Sequence, residues 1–263
     1  MRKGYADLDT GQVHYRVWND SAAGTPVMCL HPAPHSGAWF ETLAPLIAQS
    51  GRPVLAPDYP GFGGSDRPNA PPQISDYAQS MCKLIDALDL PKLHLLGFHT
   101  GCLVALDMAR QCQSNAIGQL GLIDVPYIET AQRKSLLSTF APDPAQFDWD
   151  DLKPLWDKAI VSRAEKVSFE RNYDVFCEQL RAHRYGHWAY LAAYAYPCEE
   201  QFGSSTASGK IIATQSILRE PTQAASKVLS KFEFSDRPDI TSPALEIAAQ
   251  SIADELGPVW QRG

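Results

Sequence analysis

Residues 93–101 read Leu93-His94-Leu95-Leu96-Gly97-Phe98-His99-Thr100-Gly101, an apolar run that ends in a turn flanked by two glycines. The run has the length of a buried strand, and Thr100 to Gln111 continues with helical spacing. Gly97-Phe98-His99-Thr100-Gly101 has the form of the sharp G-x-S-x-G turn that displays a nucleophile at a strand end, with histidine where the serine stands. Histidine is among the non-glycine residues tolerated at positive φ, so the turn survives the exchange. The attacking oxygen does not.

The flanking sequence reads as strands alternating with helices. Strand-like stretches at 3–8 and 12–18 are separated by the turn-former Asp9-Thr10-Gly11, and Thr25–Leu30 is a short buried strand. His31–Gly37 is a loop, and Trp39–Gln49 has helical spacing through Trp39, Leu43, Leu46 and Ile47. Pro53–Pro57 is a strand followed by a Gly/Pro/Asp-rich loop to about 73, and residues 75–88 align Tyr77, Met81, Leu84, Ile85 and Leu88 on one helix face. Strands at 92–96 and 120–124 complete the alternation, the signature of a parallel sheet covered on both faces. From 127 to 202 the sequence favours helix and is rich in aromatics, with Gly203–Gly209 as a linker behind it. Strands resume at 210–214 and 229–234, and a helix at about 243–256 ends the chain. The expected organisation is a core at 1–126 and 203–263 with a helical cap inserted at 127–202. Such an insertion lies over the carboxyl ends of the strands, where open α/β sheets bind ligands.

At 263 residues, with 44% hydrophobic and 20% charged residues, the composition is that of a globular chain. A net charge of −7 without any Lys/Arg run repels phosphate backbones and anionic lipid, which excludes nucleic-acid and membrane-surface partners. No secretory leader and no span-length apolar run is read, so a cytoplasmic location is expected, as a monomer or homodimer. The six cysteines show no C-x-x-C pairing, and reduced buried thiols are expected.

Three segments carry a family resemblance. His31-Pro-Ala-Pro-His-Ser-Gly-Ala-Trp39 resembles the oxyanion loop of α/β-hydrolases, Pro57-Asp-Tyr-Pro-Gly-Phe-Gly-Gly-Ser-Asp66 looks like their post-strand loop, and Leu95–Gly101 is similar to the nucleophile elbow. They stand in family order and spacing, and the resemblance covers essentially the whole chain. It implies an α/β fold with a mostly parallel eight-stranded sheet, flanking helices and a cap. The members most similar are capped esterases, C–C bond hydrolases, haloalkane dehalogenases and epoxide hydrolases.

The family's chemistry needs a nucleophile, a histidine base, a carboxylate that orients it, and two N–H groups for the oxyanion. His99 holds the nucleophile position, as a general base, as a relic of lost chemistry or, more rarely, as a nucleophile in its own right. Cys102, inside the helix, points elsewhere. After the last strand, where the resemblance places the base, no histidine remains; Asp236 or Asp239 stands there, and the last histidine of the chain is His187. For the acid, Asp124 at the sixth strand end is one family location and Glu220 lies near the other. Asp124 either reaches the ring of His99 or caps a local turn. The oxyanion donors would be the N–H groups of Ala33 and Thr100.

Around them the pocket is expected to take Phe98, His31, His35, Trp39 and Phe40 from the core and His183, His187 and Trp188 from the cap. His183 and His187 share a helix face, but H-x-x-x-H alone is a weak metal motif, so neither metal nor cofactor is expected. A small-molecule ligand or substrate is. Three readings of function stay open: a triad-deficient binder of a small apolar or aromatic molecule; a non-hydrolytic lyase, cyclase, isomerase or cofactor-free oxygenase with His99 as base; and a hydrolase whose base is a cap histidine.

Overall fold

The computed structural model describes residues 1–112, 116–140 and 148–261. Residues 141–147 of the expected cap, and 113–115 and 262–263 of the expected core, lie outside the described residues. In chain order the strands are β1 (Arg2–Leu8), β2 (Gly11–Trp18), β3 (Val27–Leu30), β4 (Val54–Pro57), β5 (Leu93–Phe98), β6 (Ile117–Ile123), β7 (Gly209–Gln215) and β8 (Phe232–Thr241). The helices are α1 (Ala44–Ala48), α2 (Ile74–Ala87), α3 (Thr100–Gln111), α4 (Thr130–Thr139), α5 (Trp149–Ala159), α6 (Phe169–Ala195), α7 (Cys198–Gly203), α8 (Arg219–Val228), α9 (Ala244–Ile247) and α10 (Ala249–Leu256). All eight strands form one sheet in the order β1-β2-β4-β3-β5-β6-β7-β8, in which only β2 runs against its neighbours.

Strands β3, β4 and β5 are buried at every residue, as a parallel sheet covered on both faces requires. On one face α2 and α3 bury Tyr77, Met81, Leu84, Leu103 and Leu106 against Leu93 and Leu95. On the other, α1 and α10 bury Leu43, Ile47, Ile252 and Leu256 with Phe40 and Trp260. Helix α2 opens with a reciprocal cap between Gln73 and Asp76, which satisfies N–H groups that the first turn leaves free.

Several elements differ from the sequence reading. The segment 39–49 is a 3-10 turn at Gly37–Phe40 followed by the short α1, because Pro45 fits only a first helical turn. Strand β8 runs to Thr241; Pro238 falls in the jump of register between Thr214↔Arg237 and Gln215↔Thr241, on an edge strand that tolerates a missing donor. Glu220 and Pro221 lie in the first turn of α8, where proline is tolerated. The terminal helix is broken at Ala248 into α9 and α10. The expectation that all six thiols are reduced is overturned by a Cys82–Cys112 disulfide. It joins α2 to the end of α3, two helices that pack side by side and bring the Cα atoms within 5.6 Å, a proximity that sequence separation conceals. Cys29, Cys102, Cys177 and Cys198 are free thiols. No helix among the described residues is long and apolar enough to cross a membrane.

Helices α4–α7 fill the chain between β6 and β7. Helix α6 lies along the loop after β3, in antiparallel register with it. Arg171 donates to the Trp39 carbonyl, Glu178 accepts from Ser36, Gln179 meets His35, Gly186 packs on Pro34 and Tyr190 donates to the Ala33 carbonyl.

Candidate active site

The elbow forms where β5 passes into α3. Two close approaches demand its glycines: a Cβ at Gly101 would meet the Leu30 carbonyl oxygen at 1.9 Å, and one at Gly97 would meet backbone of Gly101 and Cys102 within 2.7 Å. Between them His99 sits at φ 50°, ψ −121°, a conformation that thrusts its side chain out of the strand–helix junction. The imidazole is 32% exposed and stacks on Phe98 with centroids 4.3 Å apart.

Asp124 follows the end of β6, also at positive φ (54°), which aspartate tolerates. Its Oδ2 lies 3.7 Å from Nε2 of His99, within ion-pair distance and beyond a hydrogen bond. Thr214 of β7 fixes the carboxylate from the other side, donating from its N–H at 2.8 Å and its hydroxyl at 2.6 Å. Burial opposes ionisation of Asp124, yet the donors His99 and Thr214 outweigh it and hold the carboxyl below the usual range. The two residues read from sequence as separate candidates are therefore in contact. Thr214 was missed, because its role depends on the pairing of β6 with β7, which no local pattern encodes.

The N–H groups of Ala33 and Thr100 donate to no other described residue, so both donors expected for an oxyanion are free. Thr100 opens the twelve-residue α3, and Ala33 is held through its carbonyl by Tyr190, at 3.2 Å. Burial pushes the Tyr190 phenol up to about 12, so it donates as the neutral form.

Other expectations change. His31 is no pocket group: its Nδ1 bonds the Pro32 carbonyl at 3.0 Å, its Nε2 accepts from the Tyr59 N–H at 3.1 Å, and burial holds it neutral with a pKa of about 4. Both nitrogens are spent on joining two loops. Phe40 is fully buried in the core instead of lining a pocket. Cys102 donates its thiol to the Ile123 carbonyl at 3.3 Å, away from the elbow. Asp236 and Asp239 lie on β8 in ion pairs with Arg219 and Arg237, and Glu220 is exposed in the first turn of α8. The rings of His35 and Trp39 lie 4.1 Å apart and tilted by 34°, and Trp39 lies 6.0 Å from Phe98. His183, His187 and Trp188 are half-buried on α6. Among the described residues no hydrogen bond, ion pair or ring contact joins His187 or Trp188 to His99 or Asp124.

A further group escaped the sequence reading. Asp58 is fully buried and accepts from His14 (2.7 Å), Arg16 (2.9 Å), Gly37 N–H (2.8 Å) and Gly64 N–H (2.8 Å), tying the β1–β2 hairpin to the loops beneath the site.

The eight-stranded sheet, with a sharp turn at the end of β5 and a carboxylate at the end of β6, has the features of one fold class, and the sequence profile of the alpha/beta hydrolase fold matches residues 25–162. The chain belongs to that family. It is 28% identical over 142 residues to the proline iminopeptidase of Heyndrickxia coagulans, an alignment covering 51% of this chain and 48% of that enzyme. The chain thus spans about half the length of the curated relatives it matches, or less. In structure it is similar to an esterase from Exiguobacterium antarcticum (TM-score 0.79, 16% identical, 98% of both chains). It is equally similar to a bromoperoxidase from Bacillus anthracis (TM-score 0.79, 16% identical, all of both chains), and at such identities the likeness is one of fold.

Proposed function

We propose that this member of the α/β-hydrolase family acts on a small molecule held between the core and a cap formed by residues 127–202, with His99 as general base and no covalent intermediate at the elbow. The observation that carries the reading is the contact between His99 and an Asp124 fixed by Thr214. If Nε2 of His99 donates to Asp124, the imidazole keeps one tautomer and leaves Nδ1 as the basic nitrogen. The negative charge that proton abstraction creates next to a carbonyl then falls to the free N–H groups of Ala33 and Thr100. Proton abstraction needs no serine, which accounts for a retained oxyanion pair beside a replaced nucleophile.

The test is solvent-deuterium exchange into carbonyl compounds bearing an acidic C–H, followed by NMR. General-base catalysis is typically about 10²–10⁴-fold, so His99→Ala is expected to lower exchange by at least about 100-fold. Fluorophosphonate probes should leave the protein unlabelled. A covalent adduct on any side chain during turnover, or undiminished exchange in His99→Ala, overturns the reading.

A second reading, a binder without turnover, is favoured by one observation. Asp236 and Asp239, the groups nearest the place where the family resemblance puts the base, stand on β8 itself, each tied to an arginine, so neither is free to serve as a second proton carrier. Under it, ligand binding survives His99→Ala and no compound is turned over.

A further inference from the structure

Helix α6 and the loop between β4 and α2 meet at one ring. The guanidinium carbon of Arg67, from the loop, lies over Tyr185 at 4.8 Å from the ring centroid, and that of Arg184 lies 5.4 Å from the same centroid. The two guanidiniums are therefore no farther apart than those two distances laid end to end. Tyr185 is itself propped edge-on by Trp188, with centroids 4.9 Å apart. Arg181 stands one turn before Arg184 on the same helix and shares its side.

Positive charge left over at one place is unusual in this chain, whose net charge is −7. Arg16, Arg110, Arg163, Arg219 and Arg237 each bind a carboxylate. Arg67, Arg181 and Arg184 are exposed and make no hydrogen bond or ion pair among the described residues. The carboxylate next to Arg67 in sequence, Asp66, is turned away to accept from the N–H of Gln12 at 2.8 Å. Lying over Tyr185 does not use up the donors, because a ring face attracts the cation without accepting an N–H···O bond. Each guanidinium keeps a planar fork that fits an oxyanion through two parallel bonds.

The fit selects charge and size. With N···O contacts of about 2.7–2.9 Å on both sides, an oxyanion is shared by guanidinium carbons about 8 Å apart, within the limit that the common ring sets. A single negative charge leaves one guanidinium uncompensated, whereas a phosphoryl group carries about −1.5 to −2 at neutral pH and balances the pair. A long polyanion would run from this seam onto the acidic remainder of the surface and be repelled there.

We propose that Arg67 and Arg184, supported on Tyr185 and backed by Arg181, form a binding site for a dianionic phosphoryl group, free or carried by a small molecule. Arg67 belongs to a core loop and Arg184 to the inserted helices, so the bound group fastens α6 to the core. The proposal does not depend on the chemistry of His99.

The test is a titration of protein carrying 15N-labelled arginine, at constant ionic strength, with inorganic phosphate, phenyl phosphate and the monoanion phenyl sulfate. Arg67→Gln and Arg184→Gln identify the Nε–H resonances of the two residues. Phosphate is expected to shift both along one saturation curve, and its dissociation constant should rise at least tenfold in each variant. Arg184→Lys keeps the charge and loses the fork, so it should weaken binding at least threefold. Arg2→Gln, which removes an arginine paired with Asp20 elsewhere on the surface, should leave binding within twofold. Phenyl phosphate binding much more tightly than inorganic phosphate assigns the site to a phosphate monoester, and equal binding assigns it to the free ion; both support the proposal. If one glutamine variant fails to fold, the other and the shared saturation curve decide. Shifts spread evenly over all arginine resonances, phenyl sulfate binding as tightly as phenyl phosphate, or unchanged affinity in the glutamine variants overturns it.

Discussion

At φ 50° and ψ −121° the backbone of His99 occupies a region that glycine alone enters freely. Strain of this kind is worth about 1–3 kcal/mol, against a loss of about 0.5–1 kcal/mol from the extra freedom that glycine gives the unfolded chain. His99→Gly is therefore expected to raise the stability by up to about 2 kcal/mol in thermal unfolding while abolishing deuterium exchange. A lowered melting temperature would mean that the elbow is not strained. Asp124 gives the opposite signature. Its carboxyl is held below the range it has in the unfolded chain, so its contribution is present above about pH 3.9 and is lost as pH falls through the folded value. Asp124→Asn should destabilise by about 1.5–3 kcal/mol at neutral pH, and the gap to the natural protein should close on acidification. Denaturant unfolding at pH 7 and pH 3 measures both.

Helix α6 carries a carboxylate whose balance runs the other way. Burial raises Glu178 above the ordinary glutamate range, although Ser36 donates to it from both N–H (3.0 Å) and hydroxyl (2.5 Å). The folded state thus favours the protonated form, and the stability this gives is complete below the unfolded pKa and lost as pH rises through the folded one. Glu178→Gln imitates the protonated group, so it should match the natural protein near pH 4 and become relatively more stable toward pH 7. Glu178→Ala, which orphans the Ser36 donors, should lose about 1–3 kcal/mol at neutral pH. Unfolding midpoints across that range decide. These contacts also mark how far the sequence can be read. The core strands were legible because continuous apolar runs between turn residues are local signals, and the sharp turn at His99 because its two glycines stand four residues apart within one short stretch. The tail of β8 was not, since Pro238 and its charged neighbours imitate a loop. Ser36 and Glu178 lie 142 residues apart, and no pattern along the chain anticipates their meeting. For the same reason Asp124 was visible as a strand-end carboxylate while Thr214, which fixes it, was not.

Across the molecule, the inserted helices are fastened to the end of the chain by buried charge. Glu246 of α9 accepts from Arg163 at 2.8 Å and from Arg171 at 3.4 Å, with its side chain 5% exposed. Removing one partner of such a cluster leaves the others buried and unpaired, typically at about 3–5 kcal/mol. Glu246→Ala is therefore expected to speed amide exchange in α5 and α6 by at least tenfold while β3, β5 and β6 keep their protection. Uniformly faster exchange in helices and strands alike would show that Glu246 supports the whole molecule instead.

The pairing of α6 with residues 33–39 has a kinetic corollary. If α6 covers the site as proposed, one helix both closes it and holds the stretch of backbone from which Ala33 presents its amide. Unfastening that helix to let a molecule in or out slackens the amide in the same motion. Substitutions along the seam should therefore move kcat and KM together, and a variant that releases its product faster should also be the poorer catalyst per encounter.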